Sequence, residues 1–382
     1  MGVDNPYQLN PTKAEMKKHQ KGKTNHIYIA TSVFTPYFFL KGFNQKYYGS
    51  SNIFLEKRLL SVKELMYATE SGNLEALKEI VNENPRWQDI KRWISLIDKK
   101  GRTPLHLASL NGHSHIARFI FTQLDDAIVD KDLKRKYVNL LDKKGRTSLF
   151  HAAAGGHTYV LRCLSDIGVK LDTATNDNHS APGSTAIMAS AEKGHLDCFN
   201  LLLEKGADLL ATRKDGADAF YLAAMKGNLG IVDSIVNTGH MRILCHHITD
   251  KPTYRGRTPL STAAFHGHLK VVKFLFEHGS NLNHQDSDKF SPLSLASYGG
   301  HLDMVKWLLK NGADPLKRDK FGDTALESSD ICGHVKVAKF IENWLNSDQC
   351  TNNYKESIVP KKNKSSKTLG LQSKSKLLAN TR

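Results

Sequence analysis

The side chains best suited to chemistry recur in register. Six histidines, His113, His157, His195, His268, His301 and His334, each follow a glycine at the same place in successive blocks of the chain. Repeated imidazoles invite a metal or acid–base reading. A metal ion holds its ligands at about 2 Å, whereas packed helices stand about 8–10 Å apart, so equivalent histidines in neighbouring blocks do not share one ion. Their spacing points instead to hydrogen bonds between helices. A second group, His240, Cys245, His246 and His247 in GHMRILCHHITDKP, has ligand-type residues, but its spacing matches no zinc pattern. That stretch is expected to be an elaborated loop. The chain carries no G-x-S-x-G, phosphate-binding loop, dinucleotide glycine motif or H-E-x-x-H. No metal, cofactor or catalytic residue is expected, and the chain is expected not to be an enzyme.

The elements that position these histidines are a repeat. From Gly101 the pattern G-x-T-P-L-x-x-A-x-x-x-G-H returns as GRTPLHLASLNGH, GRTSLFHAAAGGH, GSTAIMASAEKGH, GRTPLSTAAFHGH, KFSPLSLASYGGH and GDTALESSDICGH. GADAFYLAAMKGN (216–228) is a degraded copy, and SVKELMYATESGN (61–73) is an eighth unit without its turn. Start-to-start spacings are 44, 38, 33, 40, 33 and 33 residues, so the base period is 33 with insertions near 125–138, 176–182 and 240–252. Each unit reads as a turn and two helices. A threonine followed by proline caps and starts the first helix, and glycine ends it. The second helix places apolar residues at helical spacing, as in Val271, Val272 and Leu275. One unit cannot bury its own apolar face, so the core runs through the stack.

These residues resemble the ankyrin repeat family. The family's T-P-L-H is intact at Thr103-Pro104-Leu105-His106, with partial forms at 147–150, 258–261, 291–294 and 324–327. The resemblance covers 61–346 and implies an all-α repeat solenoid: stacked helix pairs with short β-hairpin tips that grip other proteins. In unit 216–228, Asp218 and Ala219 replace threonine and proline, which puts the regularity of its first turn in question.

Family members contact partners through hairpin tips and the end of the first helix. Carried onto this chain, the tip positions are Lys99, Lys100 and Arg102, then Lys143, Lys144 and Arg146, then Lys214. Tyr254, Arg255 and Arg257 follow, then Phe290, and finally Lys320 and Phe321. The helix-end positions are Leu110, Asn111, Glu192, Lys193, Met225, Lys226, Phe265, His266 and Tyr298. Two identical basic triplets on neighbouring fingers imply a partner with an acidic surface. Screening over about 8 Å makes that charge chiefly a steering device.

The net charge of +16 lies mostly in the flanks: residues 1–60 hold nine Lys/Arg against three Asp/Glu, and 351–382 hold eight against one. A high overall charge is therefore no argument that the repeats bind nucleic acid. Residues 1–60 carry nine Phe or Tyr between 26 and 54 and are expected to cap the first unit; an aromatic, lysine-bearing arm for a membrane surface or partner is the sharper reading. Residues 347–382 read as a disordered basic tail, in which Lys361, Lys362 and Lys364 resemble a nuclear import signal. Thr24 to Leu40, broken by Pro36, is short for a membrane helix, and no targeting segment is expected. Extra helix-forming sequence at 84–97 and 125–141 is expected to lengthen helices, with Trp87 and Trp93 as packing residues. Five scattered cysteines without a C-x-x-C suggest a reducing compartment.

The function expected is a non-enzymatic protein-interaction scaffold or adaptor in the cytosol or nucleus, with no small-molecule substrate. An ankyrin-repeat effector delivered by an intracellular bacterium into host cytosol is an alternative. Binding of anionic lipid or nucleic acid by the flanks is another.

Overall fold

The computed structural model describes residues 62–85, 87–176, 182–237 and 249–347. The aromatic N-terminal segment, the basic tail with Lys361, Lys362 and Lys364, and the His240–His247 cluster lie outside them. Eighteen helices are described, and no strand accompanies them among the described residues.

Eight helix pairs make the repeats: α1 (62–71) with α2 (Leu74–Glu83), α4 (Pro104–Leu110) with α5 (Ser114–Ala127), α7 (Ser148–Gly155) with α8 (Thr158–Asp166), and α9 (Ala186–Lys193) with α10 (Leu196–Glu204). Then come α11 (Ala219–Lys226) with α12 (Leu229–Asn237), α13 (Pro259–Phe265) with α14 (Leu269–Glu277), α15 (Pro292–Tyr298) with α16 (Leu302–Lys310), and α17 (Ala325–Ile331) with α18 (Val335–Asn346). First helices pack on first helices from α4 through α17, and second helices pack as an outer row. One apolar core runs from Val62 to Ile341. Each unit buries its face on its neighbours.

The extra segments lengthen one helix and otherwise form short helices of their own. α5 is fourteen residues long where α8, α10 and α12 have nine, and a separate helix, α6 (Lys131–Val138), follows it with Asp130 as its cap. In the 84–97 segment, α3 (Ile90–Ile94) packs on α4 and α5, with Trp87 and Trp93 buried.

The caps show why these helices begin where they do. Thr103, Thr147, Thr258, Ser291 and Thr324 each accept a hydrogen bond from the backbone N–H three residues on. Such a bond is worth about 1 kcal/mol. The degraded fifth unit is regular after all: the Asp218 carboxylate accepts from Tyr221 N at 2.9 Å in place of threonine.

Candidate functional site

The recurring histidines prove to be rivets between repeats. Each donates its Nε2–H to a backbone carbonyl at the first-helix end of the preceding repeat: His157 to Leu110 O at 2.9 Å, His195 to Ala154 O at 3.1 Å, His268 to Met225 O at 3.1 Å, His301 to Phe265 O at 2.9 Å and His334 to Tyr298 O at 2.9 Å. His113 does the same to Glu70 O. In the fifth repeat Asn228 takes over, its amide donating to Ala191 O at 2.7 Å. The glycine before each histidine is the seat of the next one. A Cβ on Gly156 would lie 2.6 Å from His195 Nδ1, while at Gly333, in the last repeat, nothing lies within 4 Å. The Gly-His pair is thus an assembly device, and no group of three or more potential metal ligands occurs among the described residues.

Consecutive tips are tied into a ribbon. Lys143 N donates to Lys100 O at 3.0 Å, Asn176 N to Lys144 O at 3.1 Å, Tyr254 N to Asp215 O at 3.1 Å and Lys320 N to Asp288 O at 3.0 Å. Within a tip, the chain makes a tight hairpin turn: Asp98 N donates to Arg102 O and Gly101 N to Asp98 O. The ribbon holds Lys99, Lys100, Lys143, Lys144 and Lys214 exposed on one edge.

The arginines of the same tips behave differently from the expectation that they face a partner. Arg102 is held by Asp98 through its Nε at 2.7 Å and its Nη2 at 2.6 Å, and Arg146 is held by Asp142 at 2.8 Å through both nitrogens. Asp142 is itself buried and also accepts from His151 Nε2 at 3.0 Å and from the backbone of Lys144 and Arg146. Burial alone would raise the Asp142 carboxyl, but the hydrogen bonds from His151 and Arg146 hold it well below the usual carboxylate range. His151 is pushed down by burial and donates as a neutral ring. Buried His106, whose pKa burial and the nearby His151 lower to about 4, accepts on Nδ1 from Thr103 and donates from Nε2 to Arg146 O at 3.0 Å. Aspartate, two histidines and arginine look catalytic in type, but every polar contact described for them is with another part of the scaffold.

Phe290 is a clear correction. It is fully buried against Leu295, with Phe265 and Tyr298 packed over that pair, so it offers a partner nothing. Arg257 is also folded inward: its side chain is 4% exposed and its Nε donates to Asp286 Oδ2 at 3.2 Å. Lys320 is exposed but bound to Asp288 and lies over the Phe321 ring. Tyr254, Arg255 and Phe321 are exposed as expected, Tyr254 by 76%. Among helix-end positions, Asn111, Lys193 and Lys226 are exposed. Leu110, Glu192, Met225, Phe265, His266 and Tyr298 are half-buried along the first-helix ends. Phe265 and Tyr298 lie 6.3 Å apart between ring centres.

Comparison with known proteins agrees with this geometry. A family model described as ankyrin repeats (3 copies) matches residues 60–132 and 125–213, and one described as ankyrin repeats (many copies) matches 260–309 and 293–341. The chain belongs to the ankyrin repeat family. The ankyrin models leave 214–259 unmatched, which is where Asp218 and Asn228 replace the usual threonine and histidine without breaking the stack. Protein fem-1 homolog A-like of Mus musculus is 31% identical over 108 residues, covering 28% of this chain and 15% of that protein. An ankyrin repeat and KH domain-containing protein of Caenorhabditis briggsae is 30% identical over 117 residues, 30% of this chain and 4% of its own length. A transient receptor potential cation channel, subfamily A member 1, of Drosophila melanogaster is 25% identical over 190 residues, 49% of this chain and 15% of its own. The matched part is thus a small share of each of these relatives. Ankyrin repeats are generally protein-interaction modules and typically lack enzymatic activity.

Three residues of the inner face went unnoticed in the sequence: Asp142, Arg213 and Asp286. Aligning the tips exposes the signal. The slot occupied by Asp98 and Asp142 holds Arg213 in the fifth repeat and Thr253 in the sixth, so Arg257 has no carboxylate in its own hairpin.

Proposed function

We propose that this ankyrin array is a protein-interaction scaffold in the cytosol or nucleus that engages an acidic partner surface through the lysines of its second, third and fifth tips. The observation that carries the reading is the division of labour within a tip. Arg102 and Arg146 are neutralised by Asp98 and Asp142 and fix the turn, whereas Lys99, Lys100, Lys143 and Lys144 stand exposed on a backbone-bonded ribbon. Charges arranged this way contribute to encounter rate and orientation more than to final affinity. The half-buried row of Met225, Phe265 and Tyr298 supplies the apolar contact area that affinity needs.

The test is affinity capture with the full chain beside a Lys99→Glu/Lys100→Glu/Lys143→Glu/Lys144→Glu variant. Proteins retained by the wild type should carry acidic surfaces and be depleted on the variant. Equal recovery of the same proteins on both would refute the mapping.

A further inference from the structure

We propose that the inner face of the fifth to seventh repeats contains a seat for one anionic side chain of the partner, formed by Arg257 and His266 beside the Phe265 ring. This rests on the interaction reading above and names the chemistry of its contact.

Three observations converge. Arg257 is almost fully buried and its Nε donates to Asp286, yet its Nη1 has no hydrogen-bond partner among the described residues. His266 Nε2 is likewise enclosed and without a partner. The Arg257 guanidinium stands 5.8 Å from the centre of the Phe265 ring, and that ring meets the His266 ring edge-on at 5.0 Å. An unpartnered guanidinium nitrogen and an unpartnered imidazole nitrogen, the latter a donor once His266 is protonated, therefore border a single aromatic ring that is itself only half-buried. A buried N–H left unmade costs about 1–3 kcal/mol, more when charged, so completing it favours an oxyanion that can accept from both.

The electrostatics around the seat select the sign. After burial, the neighbours acting on His266 are His268, Lys226, Arg257 and His301, all of which oppose its protonation. The local carboxylates are engaged with other groups: Asp286 accepts from the Phe290 and Asp288 backbone as well as from Arg257, and Glu192 lies 3.8 Å from both Arg213 and Lys226. In repeats two and three an aspartate of the same turn pairs with the arginine through both Nε and Nη2, so its charge is met locally. A carboxylate or a phosphorylated side chain entering beside Phe265 would accept from Arg257 Nη1–H and His266 Nε2–H, and its charge would draw a proton onto His266.

The experiment is an NMR titration of the full chain with sodium acetate, with inorganic phosphate, and with sodium chloride at matched ionic strength, following the His266 ring. Acetate or phosphate should cause a saturable shift and raise the His266 pKa by about 1 or more, with chloride inert. The anion that saturates first tells a carboxylate from a phosphorylated residue. Arg257→Gln should abolish the response; should that variant fail to fold, His266→Gln serves, by eliminating the saturable acetate shift of the neighbouring Phe265 ring protons. A response identical to that of chloride, or one that survives substitution, overturns the seat. Neither outcome touches the lysine tips, whose own test is the capture comparison.

Discussion

The hairpins of repeats two and three and those of repeats five and six fill the same slots with opposite consequences. In the first pair, aspartate opens the turn and arginine closes it: Asp98 with Arg102, and Asp142 with Arg146. The cation is neutralised within five residues, and the lysines between are exposed. In the second pair the opening slot holds Arg213 or Thr253. Arg213 reaches Asp215 at 3.3 Å and Glu192 at 3.8 Å, and Arg257 must cross to Asp286 of the next repeat. In the sixth hairpin a single substitution, threonine for aspartate at 253, thus converts a local structural pair into a buried cation shared between repeats. That is the difference between a finger that presents charge and one that stores it.

The largest test of this contrast is removal of the buried aspartate. Asp142→Ala leaves Arg146 and His151 without their shared acceptor and should cost about 3–5 kcal/mol of stability, read as a fall in the urea midpoint. Asp98→Ala, at a partly exposed pair, should cost about 1 kcal/mol. Equal losses at the two sites would show that burial is not what distinguishes them.

Acidification probes the same network. His106 is held at about 4 against 6.5 unfolded, so the unfolded chain takes up the proton first and stability falls as pH drops. Its contribution is complete above pH 6.5, declines by up to about 1.4 kcal/mol per pH unit below that, and levels off near pH 4. His106→Gln should flatten that part of the stability–pH curve measured by chemical denaturation.

Thr253→Asp would rebuild the missing pair in the sixth hairpin. It should give Arg257 a carboxylate within its own turn, raise stability by about 1 kcal/mol, and weaken the acetate response of the proposed seat by neutralising its cation. Lys289 sharpens the comparison at smaller scale. It occupies the slot that is Gly101, Gly145 and Gly256 elsewhere, and does so at φ 60°, in the left-handed region. Lys289→Gly should add about 0.5–1 kcal/mol by relieving the strain, visible as a small rise in midpoint.

The sequence alone displayed the repeat, because its period comes from residues with local duties: threonine caps, glycine turns, and the histidines whose inter-helix bonding their spacing implied. It also displayed the tip lysines, since nothing but position is needed to expose them. What it hid depends on contacts between repeats. Phe290 reads as a finger-tip aromatic until Leu295, Phe265 and Tyr298 are seen around it. Arg257 reads as one more basic tip until Asp286, 29 residues on, is placed beside it. Asp218 looked like a defect because a threonine was expected; a carboxylate accepts the same N–H. Burial of a charge is decided by the neighbouring turn, and that turn lies about a whole period away.

The most direct measurement is the association rate of the strongest captured partner as a function of ionic strength, for the wild type and for the four-lysine glutamate variant. The account predicts a rate for the wild type that falls steeply with added salt, and a slower rate with a flat or inverted salt dependence for the variant. Superimposable curves for the two proteins would contradict it.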